Sequence, residues 1–428
     1  MMKDTELNRR DVLKGAGGLG AAGMIGIAGC TGDGGGGGGG ATVEVLHGWT
    51  GGDGAKAAES LASAWEEAHP DITLEFKPIG GGGNTNLNTV ISNRLSNNDP
   101  PASFAGWPGK NLVKYEGVLG DLTSVWEDGL KGAHVSEASE LCKYNGAYRA
   151  VPIGSHRLNC LFYNTSVVEE AGVNPDDLTS ASALIDALDT IKTETDKVPM
   201  AQAMKAPWTT LQLVGAVLLS TGGYDTYMKV VNGEGGKSAV REAFKTTKTI
   251  LQNYINDDAS SIGFTSANQK IMNGEAAFIH QGNWAAGAFR NKENFAYNED
   301  WGFKTFPGTE GLYTLHFDSF IYPSNNPAPE AGKTWEAFVG SKKAQIAFNK
   351  YKGSIPTRTD VAKEEFGPYL SETMDDFASA DNRPPTLAHG LAVVPEKLTA
   401  LKGVISNEFS GPYNVDAATN KFVSTIQG

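Results

Sequence analysis

Asn273-Gly274-Glu275-Ala276-Ala277-Phe278-Ile279-His280-Gln281-Gly282-Asn283-Trp284 is the stretch around which this chain is organised. Ahead of it, Asn268 to Met272 reads as the last turn of a helix. Ala276 to Ile279 is an apolar run of strand length, bounded by Gly274 and Gly282. Asn283 is placed to cap a second helix through Trp284, Ala285 and Phe289. The step is helix, strand, helix, with Trp284 at the carboxyl end of the strand. In open α/β sheets, ligands bind in the crevice beyond those ends. A large flat ring there can stack on a ligand. The plainer reading is a helix-start residue packed on the core.

Toward the N terminus the pattern continues. Val43 to Leu46 is a short strand, followed by the loop His47-Gly48-Trp49-Thr50-Gly51-Gly52-Asp53. Ala55 to His69 is helical, with Ala58, Leu61, Ala62 and Trp65 on one face. Asp71 to Ile79 alternates Ile72, Leu74 and Phe76, a second strand. Gly80 to Gly83 then feeds Asn84 and a helix over Leu87 to Leu95, whose start exposes backbone N–H groups. Pro100 to Gly106 reads as a third strand, leading into Trp107 and Lys110. Asn145-Gly146 signals a hairpin before the stretch Val151 to Asn164. Residues 165 to 260 are mainly helical, most clearly over Ser180 to Thr195 and Val240 to Ile255.

Several motifs in order resemble one family: Trp49-Thr50, the Gly-Glu-Ala-Ala strand with Gly282-Asn283-Trp284, Phe306-Pro307-Gly308-Thr309, Asp318-Ser319, Lys352-Gly353-Ser354-Ile355-Pro356 and Ala388-His389. The family is the extracellular solute-binding proteins of ABC sugar importers. The resemblance is closest to the glucose/mannose-type monosaccharide-binding branch. It implies a two-lobed periplasmic-binding-protein-like α/β fold of type II, closing like a hinge across three crossings. Residues 42–154 plus 315–354 would form the N-terminal lobe, and 155–314 plus 355–428 the C-terminal lobe. It implies a binding protein that delivers a monosaccharide such as glucose, or a short oligosaccharide, to membrane permease subunits. It implies no catalysis, cofactor or metal, and a monomer.

The ligand-binding residues that follow are Trp49, Asp53, Gly83, Asn84, Trp107, Lys110, His156, Phe264, Trp284, Asp318, Lys352 and His389. Trp49, Trp107, Phe264 and Trp284 offer rings to a pyranose. Gly83 and Asn84 would meet hydroxyls. Asp318 is the strongest polar candidate, because a carboxylate accepts two hydrogen bonds from adjacent hydroxyls. Lys352 can donate to a hydroxyl and pair with a nearby acid. His156 and His389 would stand beside the cleft. The chain departs from the branch where Gly48 replaces a tryptophan, Asp53 stands one residue early, and Ala105 to Lys110 lacks the usual polar pattern.

Residues 1–30 read as an address. Arg9-Arg10 precedes a Gly/Ala-rich apolar run, a Tat-type export signal too short for a convincing transmembrane helix. Ile27-Ala28-Gly29-Cys30 resembles a lipobox, which makes Cys30 a lipidation site and places the protein at the outer face of the cytoplasmic membrane. Residues 31–41 include seven consecutive glycines, Gly34 to Gly40, a flexible tether. Residues 1–30 carry four basic and three acidic side chains, so without them the formal charge moves from −13 to −14. That balance argues against binding nucleic acid or an anionic surface by electrostatics. Cys142 and Cys160 are either a disulfide or two separate buried thiols. The rival class is an exported glycoside hydrolase, for which Asp53 and Asp318 would be the carboxylates, about 5–9.5 Å apart. An amine ligand is disfavoured by Lys110 and Lys352.

Overall fold

The computed structural model describes residues 41–81 and 84–428. The export signal, Cys30, the glycine run and Gly83 lie outside the described residues. The opening β-loop-α-β unit forms as its periodicity requires. Strands β1 (Thr42–His47) and β2 (Thr73–Pro78) run parallel, and β3 (Ser103–Gly106) pairs with the other side of β1. Asn145 and Gly146, both at positive φ, turn the small hairpin of β4 (Lys143–Tyr144) and β5 (Ala147–Tyr148). β6 (Ala150–Arg157) is buried along its whole length.

The chain then leaves for a second sheet. There lie β7 (Cys160–Asn164), β8 (Val198–Ala201), β9 (Ala276–Gln281) and β10 (Trp301–Thr305), in the order β10-β7-β9-β8. It returns with β11 (Leu315–Ile321), which inserts antiparallel between β3 and β6 and completes the order β2-β1-β3-β11-β6. Each sheet therefore belongs to its own lobe. The N-terminal lobe packs the helices Ala55–Ala68, Pro329–Val339 and Lys342–Lys352 around a core with Trp65, Trp335 and Phe348. The C-terminal lobe packs its helices around two apolar clusters, one including Leu211 and Phe244, the other Phe162, Phe289 and Trp301, and the second reaches Leu315 and Phe317 of β11 and Ala138.

The chain crosses between lobes at Leu158–Asn159, at residues 306–314 and after Lys352. The crossings hydrogen-bond to one another: Leu158 N donates to Thr314 O at 3.0 Å, and Ser155 N to Ile355 O at 2.8 Å. Residues 155–157 continue β6.

Two local expectations change. The central strand runs past Ile279 to Gln281, because His280 and Gln281 are buried with partners: His280 Nδ1 meets Cys160 O at 2.9 Å, and Gln281 Oε1 accepts from Trp284 Nε1 at 3.0 Å. Cys142 and Cys160 are free thiols in different apolar clusters, so no disulfide joins them. Burial pushes the Cys160 thiol up to about 12.

Glu336 is fully buried in the N-terminal lobe, where its Oε1 accepts from Ser103 Oγ at 2.6 Å. Burial raises its carboxyl to about 8, and the Ser103 bond only partly opposes this. Between the unfolded value near 4.5 and about 8, the unfolded chain loses this proton while the native chain keeps it. Stability therefore falls as pH rises through that window. Glu336→Gln keeps the shape without the ionisation. Thermal melts should show it stabilising the protein more at pH 9 than at pH 5, and equal shifts at both would refute the assignment.

Candidate ligand-binding site

One cavity of about 170 Å³ lies at the carboxyl edges of the parallel strands. It far exceeds the ~10–15 Å³ that holds a single water. The loop after β1 brings Gly48, Trp49, Thr50, Gly51 and Asp53, and the turn after β2 brings Gly81 and Asn84. Trp107 follows β3, while His156 stands near the end of β6 and His316 and Asp318 on β11. From the other lobe come Trp208, Phe264, Thr265, Trp284 and His389. Lys352 closes the ring from the last residue of its helix.

Trp284 opens the helix Trp284–Arg290, which packs against the end of the helix Lys342–Lys352. The approach is close enough that a side chain at Gly287 would strike the Lys352 carbonyl. A side chain at Gly353, whose φ is +88°, would strike the Asn283 carbonyl. These two glycines place Trp284 and Lys352 in one site. Trp284 packs with Leu158 and Trp208 in a small apolar cluster separate from the lobe cores. Asn283 does not cap the helix as expected: its side chain turns to His156 instead, with Oδ1 and Nδ1 2.6 Å apart.

Two buried contacts to carboxylates organise the polar floor. Lys352 Nζ donates to Asp53 Oδ2 at 2.7 Å. His156 Nε2 donates to Asp318 Oδ2 at 3.1 Å. Its other ring nitrogen, Nδ1, faces the Asn283 side-chain oxygen. Burial alone would raise the Asp318 carboxyl. The charge and hydrogen bond of His156, followed by the charge of Lys352, outweigh it and hold the carboxyl well below its usual range. His316 is pushed down to about 3 and His389 well below its ordinary value, both chiefly by burial. Both are neutral imidazoles near pH 7, and a neutral imidazole can donate and accept. His389 Nε2 meets Gln212 Oε1 at 3.1 Å.

The chemistry available is the recognition of a small polyhydroxylated ring: ionised acceptor, cationic donor, neutral imidazoles and indoles. Trp49, Asp53, Asn84, Trp107, His156, Phe264, Trp284, Asp318, Lys352 and His389 all line the cavity as expected. Lys110 does not. The short helix Gly109–Tyr115 carries it away, and its Nζ donates to Ala392 O in the other lobe at 2.6 Å. Gly83 falls outside the described residues. His316 and Trp208 were not among the expected binding residues. His316 lies two residues before Asp318 on one strand, hence on the same face, and that spacing was the available signal.

Residues 60–375 match the model of a family described as bacterial extracellular solute-binding protein, and residues 6–26 match a twin-arginine translocation signal. The chain is 51% identical to the xylose/arabinose-binding protein XacG of Haloferax volcanii, across 90% of this chain and 84% of that protein. It is 28% identical to a probable sugar-binding periplasmic protein of Rhizobium meliloti, across 90% of this chain and 93% of that one. A solved structure from work on xylan utilization by Caldanaerobius polysaccharolyticus superposes with a TM-score of 0.80 at 17% identity, covering 90% of this chain and 99% of the other. At that identity the likeness concerns the fold.

Trp284 and Asp318 should separate in their effects. Losing the ring removes contact worth roughly 1.5–3 kcal/mol, and losing the charged acceptor costs a similar ~1.5–3 kcal/mol. Each of Trp284→Ala and Asp318→Asn should weaken binding about ten- to a hundredfold. Titration against sugar epimers should show Trp284→Ala weakening all of them evenly and Asp318→Asn weakening them by hydroxyl orientation. Melts should show both variants folded, since neither side chain belongs to a lobe core. A Trp284→Ala protein that unfolds yet binds normally would make Trp284 a core residue.

Proposed function

We propose that this chain, which belongs to the bacterial extracellular solute-binding protein family, captures one small sugar between its lobes and presents it to the permease of an ABC importer. The observation that carries this reading is the composition of the cavity. Indole rings from both lobes surround an ionised Asp318, and neutral histidines and Lys352 stand beside it. Rings cover the apolar face of a pyranose, and a fixed carboxylate takes adjacent hydroxyls. A pentose is the first candidate, because the 51% identical relative carries xylose and arabinose in its name. The chain acts as a monomer in this reading, since a single copy supplies every residue of the site.

Binding without turnover fits the same geometry better than hydrolysis does. A glycoside hydrolase needs one carboxyl kept protonated to donate to the leaving group. Asp318 is held in the opposite state, and Asp53 is tied to Lys352. The test is calorimetric titration of the exported protein against pentoses, hexoses and short oligosaccharides, with chromatography of the sugars afterwards. Saturable binding with every sugar recovered intact is expected. Hydrolysis abolished by Asp53→Asn or Asp318→Asn would support the enzyme instead.

The twin-arginine signal marks an exported protein. Cys30, placed directly after Ile27-Ala28-Gly29, then serves as the lipidated anchor, with the glycine run as tether. Cys30→Ser should move the protein from the membrane fraction to the medium. Unchanged partitioning of that variant would remove the anchor from this account.

A further inference from the structure

We infer that Trp107 sets the size of the sugar, admitting a pentopyranose and excluding the hexopyranose of the same configuration. This rests on the sugar-capture reading above and assigns its size limit to one side chain.

The placement follows from strand register. Gly106 on β3 pairs with Ser319 on β11, so Trp107, the next residue, stands beside Asp318. On the other side of Asp318, His156 of β6 holds its carboxylate at 3.1 Å. The acceptor that fixes the sugar is thus flanked by an imidazole already engaged and by an indole. With a pyranose held at Asp318 through the hydroxyl next to C5, a substituent on C5 would be directed at the indole, the neighbour not already engaged with the carboxylate.

The indole cannot swing aside easily. Its ring meets His316 and His389 nearly perpendicularly, with centroids 5.2 Å away in both cases. Those imidazoles are 5.1 Å from each other, and His389 is further held by Gln212. Trp107 is only 8% exposed. Retreat of the ring would displace both imidazoles, so the wall is stiff, and a stiff wall rejects added atoms.

A wall and a stacking platform have opposite signatures. D-glucose is D-xylose with a hydroxymethyl group on C5, and D-galactose is related to L-arabinose in the same way. Both members of each pair share the ring face, so a platform serves them alike. A wall discriminates between them.

The experiment titrates these four sugars into the exported wild-type protein, Trp107→Ala and Trp107→Phe. The phenylalanine variant retains packing against the histidines and is read if the alanine variant does not fold. The wild type should bind the pentose of each pair at least ~10-fold tighter than the hexose. The variants should shrink that ratio by about tenfold or more, mainly by gaining affinity for the hexose. A wild type that binds both members equally, or variants that weaken both by the same factor, would overturn the inference while leaving sugar capture intact. No binding of any of the four sugars by the wild type would instead overturn the capture reading on which it rests.

Discussion

The site depends on a carboxylate that is buried and still ionised. Taking such a charge out of water costs several kcal/mol unless partners compensate. Asp318 meets that demand with His156, and His156 in turn meets Asn283 at the head of the Trp284 helix. β11, β6 and the Trp284 helix are thereby tied to one point, across the boundary between lobes. Asp53 and Lys352 make a second tie within the N-terminal lobe. The geometry of Asp318 is already determined by groups it needs for its own solvation, which preorganises it for the proposed role of accepting hydroxyls.

Around this site the lobes also meet through polar contacts at the rim. Lys110 reaches the Ala392 carbonyl, Asn111 donates to the His389 carbonyl at 3.1 Å, and Asn291 to the Gly52 carbonyl at 3.3 Å. Each such bond contributes a net ~0.5–1.5 kcal/mol. Two apolar cores lie within single lobes, a third joins Leu315 and Phe317 of β11 to the C-terminal lobe, and the hinge strands bond to each other. A ligand touching both lobes adds the differential affinity that shifts the population. Asn111 joins a ligand-lining residue to this rim through the His389 backbone.

Much of this was legible in the chain. The parallel β-loop-α-β opening follows from period-two and helical apolar patterns, and Asn145-Gly146 specifies its hairpin. The cavity-lining residues were legible mainly through ordered motifs, since Asp318, Lys352 and His389 are far apart in sequence and meet only in the fold. Other features resisted reading for physical reasons. His280 and Gln281 look like a strand terminus, yet they are buried because β7 and Trp284 supply their partners. Asn283 has the chemistry of a cap, but His156 competes for its side chain. Lys110 has the chemistry of a sugar donor, and the direction of a short helix sends it to a backbone carbonyl. Two cysteines in an exported chain suggest a bridge, but only tertiary packing shows that they lie in separate cores.

The central claim is that one small sugar, held at Asp318, draws the two lobes together. Small-angle X-ray scattering of the exported protein, with and without a saturating sugar that calorimetry shows to bind, tests it most directly. The account predicts a smaller radius of gyration in the bound state, with the shift reaching saturation at one sugar per chain. A scattering curve that stays the same while the sugar is bound would contradict hinge closure as the basis of capture.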